Sequence, residues 1–271
     1  MAVPTAPPDP AAGPDASDAS DAPRTPDAET VQAALADWCP EYRPLVTPSP
    51  GEEPVSMAAW SDPAWLAARV AASHRRYRTD DARVAATLWW FSASTALLTP
   101  ALATLVVTRW AVDPRPAATV LHMRRDGLPS GARSSGVAGQ DPAAVGAVVG
   151  EAVAAYIDAL AEAAPLRPRA GWAIAVDTIA GALLRAGTTI GEPDAAAALA
   201  APLVAAAGRA AGVGVPRPRF TAFPGMTFVH RTSCCLLYRA PGQPMCTSCP
   251  GRRPAEREAD LRNFAERYGR R

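Results

Sequence analysis

From Val84 to Val107 the chain runs VAATLWWFSASTALLTPALATLVV without one charged residue. A stretch of that length must either sit in a protein core or cross a membrane, so it limits the fold more than any other segment. Several features argue against a span. Thr87, Ser92, Ser94, Thr95, Thr99 and Thr104 interrupt it, Pro100 stands near its middle, and much of the rest is weakly hydrophobic alanine. Arginines flank both ends (Arg83, Arg109) and give no orientation signal. The expectation is two buried helical pieces broken near Pro100, with Trp89, Trp90 and Phe91 packed in the core; one of the three lining a ligand groove is the alternative.

With 49% apolar residues in 271, a substantial core can be built around that segment. The surrounding pattern reads mainly helical, an α+β chain with a few short strands. Helices are expected over Glu29–Trp38, over Pro63–Arg78 with Asp62 as N-cap, and from Asp141 through Ala163. Two more are expected over Gly171–Ala186 and Pro193–Gly212, and a last one over Pro254–Tyr268. Ala117–Met123 reads as a strand and Asp126–Gln140 as a Gly/Ser/Pro-rich loop. Residues 1–28, rich in Pro, Ala and Asp, read as a disordered acidic tail. Residues 29–215 form the helical body. After a Gly/Pro hinge, residues 216–271 form a C-terminal module.

Formal net charge is +1, which argues against a nucleic-acid binder or a polybasic membrane anchor. Every basic residue is arginine, a compositional bias from which no function follows. The charge is unevenly spread. Residues 216–271 hold eleven arginines against four acids, whereas the N-terminal stretch is acidic. No Gly-rich phosphate loop or dinucleotide fingerprint is present, so electrons for any redox chemistry must come from a separate donor protein or small reductant. Residues 1–30 lack the apolar core of a secretory signal, so a reducing cytoplasm is expected and disulfides are not.

Four of the five cysteines fall in CCLLYRAPGQPMCTSC: Cys234, Cys235, Cys246 and Cys249. Thiols gathered so tightly point to a metal or iron–sulfur site. The Cys246–Cys249 pair, with two residues between, can grip one metal in a turn bracketed by Pro244 and Pro250. Cys234 and Cys235 are adjacent, and in extended chain their side chains leave opposite faces. A two-iron cluster offers ligand positions on two separated irons and uses adjacent cysteines more easily than one tetrahedral zinc. That favours [2Fe–2S]; a zinc-stabilised interaction module is the alternative. Arg231, Arg239, Arg252 and Arg253 flank the cysteines. Cations there would favour a more negative, reduced cluster, or else they are solvated or bind carbonyls of the last turns. His230, four residues before Cys234, reads as structural or as a tuning residue. His74 and His122 read as structural or surface, and Cys39 as a small buried apolar residue.

The segment HRTSCCLLYRAPGQPMCTSCP resembles the C-terminal signature of the FhuF-like ferric siderophore reductase family. The resemblance rests on Arg231, the Cys234–Cys235 pair, Leu236, Leu237, Tyr238, Cys246, Cys249 and Pro250. It implies a [2Fe–2S] cluster held by Cys234, Cys235, Cys246 and Cys249. It further implies one-electron reduction of Fe(III) in a hydroxamate-type siderophore on the cytoplasmic side of the inner membrane, with transient membrane association as one option. Arg231, Arg239 and His230 are the candidate tuning residues. No siderophore-binding residue carries over. An iron–sulfur electron carrier or redox sensor without a siderophore site is the other redox reading.

Overall fold

A computed structural model describes residues 25–269. The acidic tail expected over residues 1–28 therefore lies almost wholly outside the described residues. Helix α1 (Ala28–Trp38) opens the described fold. After it come the short α2 (Arg43–Val46), strand β1 (Glu53–Ser56), α3 (Pro63–Tyr77) and α4 (Ala82–Thr108). Aspartates start α1, α3 and α4 by satisfying orphan backbone donors. Asp27 accepts from Thr30 N at 2.7 Å, Asp62 from Ala64 N at 2.8 Å and Asp81 from Arg83 N at 2.9 Å.

Helix α4 corrects the expected break. It runs unbroken through Pro100, buried on nearly every side. Proline costs a helix one hydrogen bond and a clash. Here burial around the whole circumference leaves the freed backbone no water to turn to, and the packing of neighbouring elements keeps the helix from breaking. The carbonyl that Pro100 leaves without its helical donor is that of Ala96; one turn on, the Thr104 hydroxyl adds a bond of its own to Pro100 O at 2.8 Å. Helix α4 is long and apolar enough to cross a membrane, as is α5 (Pro142–Ala163), but 83% of the most apolar window of α4 is buried inside the fold.

Strand β2 (Ala111–Val112) follows, then β3 (Thr119–Met123), β4 (Pro129–Ser134) and β5 (Val137–Gly139). β3 pairs antiparallel with both β1 and β4, and β2 pairs with β5. The Asp126–Gln140 segment is thus two strands rather than a loop. Its Gly/Ser content hides the alternation, and pairing with β3 supplies what local propensity lacks. Gly131 in β4 lies so close to the Leu45 backbone that a side chain would strike it.

The rest is helical: α5, α6 (Pro168–Thr189), α7 (Pro193–Ala198) and α8 (Ala200–Ala210). The single helix expected over Pro193–Gly212 is two, because the chain tightens at Leu199, whose N–H reaches Ala196 O at 3.2 Å. Gly146 and Gly150 let α5 lie directly on the Leu203 and Ala207 backbone of α8. Trp60 centres the core. Its ring stacks on Trp89 at 6.1 Å and meets Tyr156 edge-on at 4.9 Å, while its indole donates to Tyr156 O at 2.9 Å.

Beyond Gly212 the chain forms a hairpin, β6 (Phe220–Phe223) and β7 (Met226–Val229), turning at Pro224–Gly225 with Gly225 at φ +79°. The cysteine loops follow, and α9 (Pro254–Tyr268) closes the described chain.

Candidate functional site

The cysteine loops lie against the start of α4 and one face of α6. Cys235 is buried beside Val84 and Leu88 of α4, with Leu236 and Leu237 packed on the same cluster. Directly after the Cys234–Cys235 pair, Leu236 adopts left-handed backbone, φ 63°. A branched side chain rarely pays that cost outside sites the surroundings over-determine. This is the sharp turn that adjacent cysteines require, and it sits one residue beyond the pair.

Cys234 and Cys249 face each other, Sγ to Sγ, at 3.7 Å. Two thiolates about 2.3 Å from one tetrahedral metal stand about 3.7 Å apart. The pair is therefore already spaced as one edge of a metal tetrahedron. Cys249 is 2% exposed, whereas Cys246 reaches solvent. Burial pushes the Cys234 thiol up to about 11; the Leu236 N–H, 3.4 Å from its sulfur, works the other way, and Cys249 beside it adds to the rise. Among the described residues, no three His, Cys, Asp or Glu side chains stand close enough to hold one metal. Cys235 turns into the apolar cluster, and the Cys246 sulfur faces Arg231 Nη1 at 3.7 Å.

Two clamps hold the loops. Asp177, on α6, accepts from Thr232 N at 3.0 Å, Thr232 Oγ1 at 3.1 Å, Ser233 N at 2.9 Å and Ser233 Oγ at 2.6 Å. Its side chain is 8% exposed and stands 3.7 Å from Arg231 Nε. The residues immediately before the cysteine pair are thus tied to the helical body by one carboxylate. Arg252 holds the other arm. It donates to Cys246 O at 3.0 Å and Met245 O at 2.9 Å and pairs with Asp260 of α9 at 2.8 Å.

The flanking cations separate into distinct roles. Arg231 lies over the Phe91 ring at 5.3 Å, wedged between Asp177 and Cys246, with Nη2 buried and without a partner. Arg239 instead turns to Asp81, 3.7 Å away, and Arg253 is solvated. His230 meets Arg257 at 3.1 Å; burial first, then the positive charges of Arg257 and Arg219, hold its pKa down. His122 is buried in β3, and Cys39 is buried as expected. Asp177 is the functional residue the sequence reading missed. Its signal was a lone acid between Arg169 and Arg185 in an otherwise uncharged helix.

A family model described as the FhuF 2Fe-2S C-terminal domain matches residues 231–250, the segment that both clamps grip. No curated protein matches the chain. The match indicates a [2Fe–2S] cluster as the cofactor and a FhuF-like iron–sulfur redox protein. The donor set fits such a group: four thiols on two short anchored loops, one pair at metal-edge spacing, and an unpartnered guanidinium nitrogen beside them.

Proposed function

We propose that this protein is a ferric siderophore reductase whose cluster is held by Cys234, Cys235, Cys246 and Cys249. The 3.7 Å approach of the Cys234 and Cys249 sulfurs, inside the matched segment, carries the ligand assignment. These two would hold one iron between them, and Cys235 and Cys246 would supply the remaining thiolates. When bound, the group supplies one electron at a time. Siderophores of the hydroxamate type hold Fe(III) with hard oxygen donors and hold Fe(II) far more weakly, so one electron releases the metal.

The chain's own residues prepare that transfer. Asp177 and Arg252 fix both loops against the body, so little rearrangement accompanies a change of charge. Arg231 presents a buried positive charge to the Cys246 side, which favours the reduced, more negative state. Val84, Leu88 and Leu236 exclude water from the Cys235 side, while exposed Cys246 leaves an edge open to a separate donor. Five free thiols suit the reducing cytoplasm, where we place the reaction, with any membrane association transient.

The test is a single-turnover reaction. Anaerobically reduced, desalted protein is mixed with a ferric trihydroxamate in the presence of an Fe(II) trap. The cluster should reoxidise and about one Fe(II) should appear per chain. A reduced cluster that persists in the presence of excess ferric chelate would leave an electron carrier or sensor in place of a reductase.

A further inference from the structure

Beside the cysteine loops lies an open groove of about 240 Å³ between α4, α6 and β7. Phe91 and Thr95 of α4 form one side, and Phe228, Arg231 and Ser248 form the other. Its floor is a stripe of α6, Asp177–Gly181–Arg185, residues four apart and so on one helix face. Ser248 belongs to the Cys246–Cys249 turn, and Arg231 touches the Cys246 sulfur. Whatever sits in the groove is therefore next to the thiols.

Gly181 marks the groove as more than a crevice. A glycine inside a helix costs about 1 kcal/mol relative to alanine and calls for a reason. For Gly146, Gly150, Gly171, Gly187 and Gly208 the reason is packing, since a Cβ would press on neighbouring backbone or side chains. At Gly181 a Cβ would meet only the mobile end of Arg185, at 3.5 Å. Packing does not demand this glycine; what it does is keep the groove floor clear of a side chain. Arg231, whose Nη2 is buried without a partner, belongs to the same wall.

We propose that this groove seats one face of a neutral ferric trihydroxamate chelate, an inference that rests on the reductase reading. Arg231 faces Asp177, and Asp177 is already occupied by four donors from Thr232 and Ser233. Arg185 forms no ion pair among the described residues. The groove thus offers one uncompensated positive charge, enough to bind the partial negative charge of hydroxamate oxygens and too little for a trianionic tricatecholate. Phe91 and Phe228 supply apolar walls for methylene spacers. The volume falls below the 300–1,000 Å³ or so of sites that enclose a ligand. One face is held and the rest stays in solvent, which suffices for electron transfer without bond formation.

The experiment separates binding from redox chemistry by using the gallium(III) trihydroxamate, which has the shape and charge of the ferric chelate and cannot be reduced. Titration calorimetry on the cluster-loaded protein compares wild type, Gly181→Leu and Arg185→Gln. Wild type should bind. Gly181→Leu fills the groove and should weaken binding at least about tenfold, with cluster absorption unchanged and Tm no lower than wild type; Arg185→Gln should weaken it about three- to tenfold. Wild-type affinity in Gly181→Leu would overturn the groove assignment even if ferric reduction continues. Tighter binding of the gallium tricatecholate would overturn the ligand class. A wild type that ignores the gallium chelate yet reduces the ferric one has no such site, and one that does neither loses the reductase reading as well.

Discussion

One carboxylate, Asp177, sets the backbone of Thr232 and Ser233 through four donors, and those residues aim the cysteine pair that follows. Removing it strands buried donors at a cost on the order of 1–3 kcal/mol for each unsatisfied group. Asp177→Ala should therefore release the loop while leaving the helical body folded. Its cluster should bleach several-fold faster than wild type under a chelator challenge; an unchanged bleaching rate would remove Asp177 from the site. The four cysteines were legible because their spacing is local. Asp177 was legible only as an oddity, since its partners lie 55 residues away in sequence. His122 gives a second prediction at this scale. It is buried with Nδ1 unpartnered; burial first, and then Arg133, lower its pKa, while Glu52 opposes them. The folded state therefore resists the proton that the unfolded chain accepts below about pH 6.5. Stability from the neutral ring is complete above that pH and is lost as pH falls. Tm should drop between pH 7.5 and 5, and the slope should flatten in His122→Asn.

At the scale of elements, glycines with opposite surroundings predict opposite effects. Gly150 lies against the Ala207 backbone, so Gly150→Val forces α5 off α8 and should cost about 1–3 kcal/mol or more. Gly181 faces open space, so Gly181→Ala should stabilise by up to about 1 kcal/mol. Thermal unfolding of the two variants side by side measures both signs. The starts of α3, α5 and α9 were readable because aspartate caps and N1 prolines act locally, whereas α6, expected from Gly171, begins at Pro168 and runs to Thr189. The course of α4 through Pro100 was not readable, because the surroundings that keep a proline-containing helix unbroken are contributed by distant segments. Strands β4 and β5 were hidden for a related reason, since their Gly/Ser sequence becomes strand only when β3 and β2 offer partners.

Across the whole molecule, the helical body and the cysteine segment form one device. α6 supplies the clamp, α4 the apolar floor under Cys235, and α9, through Arg252 and Asp260, the other anchor. The cluster segment was legible from 20 residues, while the body that positions it was legible only as helices, because no local pattern states which helix faces the thiols. Each single Cys→Ser change at Cys234, Cys235, Cys246 or Cys249 should abolish or severely impair cluster binding, and normal iron and sulfide in two of the four would end the ligand assignment. The most direct measurement is made on wild type purified without oxygen: iron, acid-labile sulfide and zinc per chain, with visible absorption and EPR before and after dithionite. A red-brown protein with about two irons and two sulfides per chain, EPR-active only when reduced, is the predicted result. A colourless protein carrying one zinc and no sulfide would contradict the account and leave a structural metal module.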